Sequence, residues 1–380
     1  MPDDLTILRE PPFDKALADL EDLMTQSGRA FLIGAGCSKC AGLPLIAELT
    51  TKTLASPTLS AITREILSAL KKQFDGSSEA NIEDVLSELV DLLAIAERRT
   101  SRGASKNKVE VDGKSYDVQQ LKDASEQIKK AIAETIDQPV TIATHWNFIR
   151  AVHRPIRPGK PTSDRPVDYL VLNYDTLIED ALALEKLPFT DGLRGGTTAW
   201  WDVQSFRCNG LAARVMKLHG SINWSEFGED TLPRRISTKL QLPAGSERKV
   251  LIWPASTKYR ETQRDPYAQL AGITREVLRP QSGAQTVLVI CGYRFGDSHI
   301  NLELDRGLRE SDGQLTIVVF TSDVKPEGQV NTWMDDPTVR DQVRVYAKKG
   351  FFHGTAAATS SNELPWWKFE NLVRLLGGER

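Results

Sequence analysis

Ala30-Phe31-Leu32-Ile33 runs without a break into Gly34-Ala35-Gly36, and this junction constrains the fold more than any other stretch. A continuous apolar run fits a parallel strand buried on both faces. The two glycines permit a tight turn and close backbone approach by a ligand. A helix is expected beyond, with N–H groups that would meet a phosphate. The dehydrogenase fingerprint wants a third glycine at position 39, which is Lys39 here. The turn alone therefore marks a nucleotide site of no named chemistry.

The same pattern recurs along the chain. The apolar run 167–172 ends at Asn173-Tyr174-Asp175-Thr176, and 214–218 ends at His219-Gly220. The run 286–291 ends at Gly292-Tyr293-Arg294, 315–320 ends at Thr321-Ser322, and 343–347 is the last. A shorter run at 250–253 precedes Pro254. Five or six buried strands separated by helices predict an α/β fold with a doubly wound, parallel, Rossmann-like sheet. Ligands of such sheets lie beyond the carboxyl ends of the strands. Here those ends carry polar residues or glycine.

Residues 55–164 follow another pattern. Asn81 is a plausible N-cap for Ile82, Val85, Leu86, Leu89, Val90 and Leu93, one apolar stripe at helical spacing. A second helix is expected over about 117–137. The spacing predicts a mostly helical smaller domain over 55–164, inserted into a nucleotide-binding domain made of 1–54 and 165–350. A proline-bearing loop at 154–166 would return the chain to the sheet. Residues 188–212 read as a loop or hairpin, and 225–248 as a polar surface excursion. Residues 351–380 read as a C-terminal apolar helix with Trp366 and Trp367, its face either core or a subunit interface. The basic stretch with Arg98, Arg99, Arg102, Lys106 and Lys108 reads as a solvated loop or a partner contact.

The chain has 380 residues and a net charge of −3, so no basic field points to nucleic acid. Of four cysteines only Cys37 and Cys40 are close, and no second pair completes a tetrahedral site, so no metal is expected. No run approaches the ~18 apolar residues of a membrane span, and the first residues show no leader pattern. A cytoplasmic location without a membrane partner is the expectation.

Taken together, Gly34-Ala35-Gly36-Cys37-Ser38, Gly42-Leu43-Pro44, Asn173-Tyr174-Asp175, Lys217-Leu218-His219-Gly220-Ser221 and the string Gly292-Tyr293-Arg294-Phe295-Gly296-Asp297-Ser298-His299-Ile300-Asn301 resemble the sirtuin family. The resemblance covers 28–50 and 167–347. Deacetylase sirtuins carry a four-cysteine zinc ribbon and a Gln before the Asn. This chain has neither, and Leu172 stands before Asn173. It looks more like the sirtuin-like NAD-degrading effectors of bacterial antiphage defence. Within these it is similar to the subunits that pair with a HerA-type hexameric ATPase.

The resemblance implies NAD as substrate and cleavage of its nicotinamide–ribose bond. It also implies a homo-oligomer, a HerA-type ATPase partner, and contact with nucleic acid only through that partner. Cationic nicotinamide departs neutral, so the leaving group needs no general acid, unlike ordinary glycoside hydrolysis. What is needed is stabilisation of an oxocarbenium-like ribose, a positioned water and a base. His219 is the candidate base. Asn173 would hold the water and a ribose hydroxyl through its amide oxygen and NH₂. Asp175 would face the developing positive charge. The turn Gly34, Ala35, Gly36, with Ser38 and Pro44, would take the pyrophosphate side. Gly292, Tyr293 and Arg294 would close on it, and Thr321 and Ser322 would meet the adenosine ribose. Asn173 and Asp175 also read as a helix cap, as do Asp297, His299 and Asn301. His145, His153 and His353 show no partner in sequence. A protein lysine deacylase and a non-catalytic nucleotide-sensing subunit are the competing functions.

Overall fold

The computed structural model describes residues 3–74, 80–154, 165–227, 230–236, 248–252, 265–280 and 283–379. The chain opens with α1 (Pro11–Met24), β1 (Gly28–Ile33), α2 (Ala35–Ser38) and α3 (Ile46–Leu54). Next come α4 (Ala61–Lys71), α5 (Ile82–Ser101), a hairpin of β2 (Val109–Val111) and β3 (Lys114–Tyr116), α6 (Val118–Ile136) and α7 (Ala143–His153). The middle holds β4 (Val167–Val171), α8 (Leu177–Leu184), β5 (Phe189–Thr190), β6 (Leu193–Gly195), β7 (Ala199–Trp201), β8 (Ala213–Lys217), β9 (Gly220–Phe227), β10 (Asp230–Arg235) and β11 (Arg248–Ile252). The last part holds α9 (Tyr267–Leu278), β12 (Thr286–Cys291), α10 (Ser298–Glu310), β13 (Leu315–Thr321), α11 (Gly328–Asp335), β14 (Val343–Ala347), β15 (Gly350–His353), β16 (Ala356–Thr359) and α12 (Phe369–Leu376).

The main sheet runs β16-β15-β14-β13-β12-β1-β4-β8-β5. From β5 to β14 every pairing is parallel; only β15 and β16 fold back antiparallel. The expected parallel α/β sheet is therefore present. The chain leaves β1 on one side for β4, β8 and β5, then crosses to β12, β13 and β14 on the other. The reversal of direction opens a crevice beyond the carboxyl end of β1, between β4 and β12.

Strand side chains alternate between two apolar layers, as a period of two requires. Phe31, Ile33, Tyr169, Val171, Val289 and Cys291 face the layer that holds α1, α7 and α12. Ala30, Leu32, Leu170, Leu288 and Ile290 face the layer that holds α9, α10 and α11. Trp366 is fully buried in the first layer. Its ring lies edge-on to Phe13 at 5.6 Å and Tyr346 at 5.1 Å, and its Nε1 donates to the Ala347 carbonyl at 2.8 Å. The C-terminal apolar face is core, but the helix expected over 351–380 covers only Phe369–Leu376: two antiparallel strands precede it, and Trp366 and Trp367 stand in a 3-10 turn.

A third apolar cluster belongs to the helices between β1 and β4. Leu67, Leu70, Ile82, Val85, Leu86, Leu89, Leu121, Ile128 and Ile132 pack there together with Leu43, Tyr174 and Leu177. The last three come from the segments that follow the β1 turn and β4, so this core is continuous with the strand ends. Asn81 caps α5 as its sequence predicts, within a capping box that Asp84 completes. The helix then continues to Ser101, so Arg98 and Arg99 stand in its last turn, where cations favour the helix dipole. That part of the basic stretch is helix rather than loop. The hairpin β2–β3 was not expected. Its signal is Asp112-Gly113, both at positive φ, between the runs Val109-Glu110-Val111 and Lys114-Ser115-Tyr116.

Residues 193–252 also contain more order than loops and hairpins. Strands β11-β9-β10-β7-β6 form a second, antiparallel sheet. Its pairings are irregular in register, which hides the strands from periodicity. Most of the 154–166 loop, and Trp253 with Pro254, lie outside the described residues.

Candidate functional site

Three strand ends meet above the sheet crevice. The backbone of the β1 turn presses directly on that of the β12 turn. Gly36 N donates to Gly292 O at 2.9 Å, and Gly34 N donates to Cys291 O at 3.0 Å. A Cβ on Gly34 would lie 2.4 Å from Gly292 O, and one on Gly292 would lie 2.5 Å from Cys37 N. Gly292 also sits at φ +66. The glycines are thus required by the approach of one turn to the other. The sequence reading assigned that closeness to a ligand, because pattern alone does not say what approaches.

Asn173 leaves β4 toward the same turn. Its Nδ2 donates to Gly34 O at 3.1 Å and to Ser38 Oγ at 2.7 Å. Gly34 O can only accept, so the amide orientation is fixed. Both N–H groups are committed to the protein. This corrects the expectation that the NH₂ serves substrate: Oδ1 is the end left for that task.

Ser38 passes the chain on, its hydroxyl donating to Asp175 Oδ2 at 2.7 Å. Asp175 Oδ1 accepts from Leu177 N at 3.1 Å and so caps the start of α8. Asp175 thus holds the start of the helix with one oxygen and meets Ser38 beside the pocket with the other. Ser38 lines the pocket, but its hydroxyl already joins Asn173 to Asp175.

Behind this loop lies Lys217, fully buried, whose Nζ donates to the Asp175 carbonyl. Nζ is also 3.4 Å from Glu179 Oε1. Burial pushes the Glu179 carboxyl up to about 7, against the lowering attraction of Lys217. Glu179 Oε2 is buried with no hydrogen-bond partner among the described residues. The uncommon polar core under the loop fixes the backbone of Asn173-Tyr174-Asp175.

The loop lines a half-open pocket. Its wall is mostly apolar, with Ala35, Leu43, Pro44 and Leu172, and Asn173, Asp175 and Ser38 supply polar groups. Glu83, at the start of α5, reaches the same pocket and accepts from Tyr174 Oη at 2.8 Å. Sequence reasoning missed Glu83, since an acid in the first turn of a helix is accounted for by the dipole. The Tyr174 phenol is pushed well up, first by burial and then by the Glu83 carboxylate.

His219 follows β8 and is buried. Its ring centroid is 6.5 Å from that of Tyr174, and its Nε2 is 3.2 Å from Asp297 Oδ2. Asp297 also caps α10, Oδ1 accepting from His299 N at 2.9 Å and Ile300 N at 3.3 Å. Tyr293 Oη donates to Asn301 Oδ1 at 2.9 Å and lies 3.1 Å from Asp297 O. Tyr293 therefore braces the Asp297 turn, and Asn301, donating to Phe295 O at 2.7 Å, braces it too.

The remaining expected residues stand apart from this network. Arg294 is exposed. Thr321 gives its hydroxyl to Asp323 Oδ2 at 2.7 Å, a local turn at the end of β13, and Ser322 is exposed. Burial raises the thiols of Cys37 and Cys40, Cys40 to about 11, which disfavours the thiolate at both. His145 is buried beneath the turn and held neutral, its pKa lowered by burial to about 4.

Residues 168–339 match the family model described as a SIR2-like domain. The match runs from β4 through α11 and contains Asn173, Asp175, His219, Gly292 and Asp297. The β1 turn and the helices of 55–164 lie outside it. Gly34 and Ser38, outside the match, contact Asn173, Asp175 and Gly292 within it. No curated protein matches the chain.

Proposed function

We propose that this sirtuin-like chain is an NAD⁺ glycohydrolase, releasing nicotinamide and ADP-ribose. The SIR2-like domain makes the protein NAD-related. The observation that supports hydrolysis is the Asn173–Ser38–Asp175 chain on a largely apolar pocket, with His219 outside its lining but beside the pocket residue Tyr174. The apolar wall suits a flat pyridinium ring. The Asp175 carboxylate suits the positive charge that passes from that ring to the ribose as the bond breaks.

In this reading Asn173 Oδ1 accepts from the attacking water or a ribose hydroxyl. Its NH₂ holds the amide at a fixed angle, so little reorganisation is needed. Water adds to the ribose carbon as nicotinamide leaves with the bonding pair, and His219 takes the proton of the water and passes it to solvent. The glycine turns and Pro44 flank the path of the pyrophosphate.

Purified protein incubated with NAD⁺, with the products separated by chromatography, tests the proposal. Asn173→Ala and His219→Ala should abolish nicotinamide release. If both variants stay active, this chemistry is wrong. Release that depends on an acyl-lysine peptide would move the assignment to a deacylase.

The role in antiphage defence, with a HerA-type ATPase and a homo-oligomeric state, rests on the resemblance carried by Asn173-Tyr174-Asp175 and the string 292–301. Co-expression with such an ATPase, followed by light scattering and NAD⁺ measurement in infected cells, tests it. An NAD⁺ pool that stays constant through infection would refute it.

A further inference from the structure

We propose that Glu83 determines the specificity of the pocket, selecting a dinucleotide whose pyridinium ring bears a neutral carboxamide and rejecting one whose ring bears a carboxylate. The proposal deepens the glycohydrolase reading and rests on it for the place of the ring in this pocket.

Glu83 lies outside the SIR2-like match, in the first turn of α5. The start of that helix is held in place. Glu83 N donates to Asn81 Oδ1 at 2.8 Å, and Ile82 N donates to Thr50 Oγ1 of α3 at 2.9 Å. The segment after α6 is tied to the β1 turn, Gln138 Nε2 donating to Gly42 O at 3.2 Å and Thr141 N to Ala41 O at 3.0 Å. Ile46 and Leu49 of α3, Glu83 of α5 and Ile136 of α6 thus complete the pocket that Asn173 and Asp175 begin.

The pocket is lined by two carboxylates, Asp175 and Glu83, and they are engaged differently. Asp175 has one oxygen on the Ser38 hydroxyl and the other on Leu177 N. Glu83 has one oxygen on the Tyr174 hydroxyl at 2.8 Å, and its second oxygen has no hydrogen-bond partner among the described residues. Burial, and then the Glu83 carboxylate, push the Tyr174 phenol up, so the phenol is the donor and Glu83 the acceptor. Nicotinamide and nicotinate rings have the same outline, and an apolar wall treats them nearly alike. They differ at one substituent. A carboxamide offers an N–H donor, whereas a carboxylate offers only acceptors and a negative charge. An unengaged carboxylate oxygen accepts from the first in a charge-assisted hydrogen bond and repels the second.

The experiment compares NAD⁺ with nicotinic acid adenine dinucleotide, on the full chain and on Glu83→Gln. The amide oxygen of Gln keeps an acceptor for Tyr174 Oη, and an NH₂ donor replaces the second carboxylate oxygen, so the melting temperature should not move. The parent should prefer NAD⁺ by about 10²-fold or more in kcat/KM. In Glu83→Gln that preference should fall by at least about 10-fold, with KM rising for NAD⁺ and falling for the nicotinate dinucleotide. A side chain that only supported the fold would move both substrates in the same direction. Equal discrimination by the two proteins, or a parent that takes both dinucleotides alike, overturns the proposal. If the parent releases no nicotinamide, the glycohydrolase reading fails, and calorimetric titration of the two intact dinucleotides into the same proteins decides whether Glu83 selects the carboxamide. A parent that binds both equally, or neither, overturns that selection as well.

Discussion

Replacing Gly292 by Ala asks whether the glycines at these strand ends serve the fold or the ligand. The new Cβ would lie 2.5 Å from Cys37 N, 2.8 Å from Cys37 Sγ and 2.9 Å from Gly34 O. Ordinary contact distances are about 3.5–4.0 Å, so the methyl intrudes by about 1 Å. Two of the three atoms are backbone, and the turn holding them is tied by Cys37 N to Gly34 O at 3.0 Å. Neither side can swing away as a side chain would. Overpacking of this kind costs about 1–3 kcal/mol. Alanine at φ +66 adds about 1 kcal/mol. Parting the turns also loses the Gly36 N to Gly292 O bond, worth about 1 kcal/mol.

The expected loss is about 3–5 kcal/mol, read from the midpoint of urea unfolding of the ligand-free protein. Gly296→Ala is the control, since a Cβ there meets nothing within 4 Å and the backbone is not at positive φ. It should leave the midpoint unchanged or raise it slightly. If Gly292→Ala unfolds within about 1 kcal/mol of the parent, the turn-on-turn packing is not what requires glycine. Adding NAD⁺ sharpens the test. A variant damaged only in ligand approach would keep its ligand-free midpoint and lose only the NAD⁺-dependent increase.

Three further outcomes follow from the same neighbourhood. Glu179 titrates near 4.5 when unfolded and at about 7 in the fold, so its stabilising contribution is full below about 4.5 and lost as pH rises through about 7. Its size is at most about 3 kcal/mol. Glu179→Gln should flatten urea midpoints measured between pH 5 and 8, and equal slopes in the two proteins would contradict the assignment. Ser38→Ala removes the hydroxyl between Asn173 and Asp175. It should lower kcat by about 10–100-fold with a stability loss of about 1–3 kcal/mol, and undiminished turnover would argue against the network. Glu83→Gln keeps an acceptor for Tyr174 but removes the charge at the pocket. It should raise KM for NAD⁺ with stability little changed, whereas Glu83→Ala also strands a buried hydroxyl and should cost about 1–3 kcal/mol. A KM equal in all three proteins would remove Glu83 from the pocket's function.

How much of this was legible in the sequence depended on distance along the chain. Local signals were readable: the apolar strand runs, the Asn81 cap, the polar strand ends. Their order also suffices for a parallel sheet, because each connection is long enough to need a helix. Contacts between distant segments were not readable. Ser38 and Asp175 lie 137 residues apart, Tyr174 and Glu83 lie 91 apart, and the identity of each partner depends on the folded path. The same gap explains the C-terminal segment. Trp366 meets Phe13 from the other end of the chain, and an apolar face shows in sequence without showing what covers it.

Asp175 and Asp297 each hold a helix start with one carboxylate oxygen and meet another strand end with the second. In a doubly wound sheet each helix begins just beyond the carboxyl end of a strand, which is also where the ligand crevice opens. A carboxylate at that N-cap, as at Asp297, or one residue before it, as at Asp175, has one oxygen on the first helix N–H groups. The planar group then turns its second oxygen away from the helix axis. At Asp175 that oxygen meets Ser38 beside the pocket, and at Asp297 it meets His219. The cap removes the rotational freedom of the side chain before any substrate arrives, so the second oxygen is oriented without further ordering entropy. Capping is how such a residue is held still enough to act on its neighbour. A variant that keeps the cap and changes only the second oxygen, as Asp297→Asn does, is therefore the informative one, whereas alanine removes both at once and cannot separate folding from chemistry.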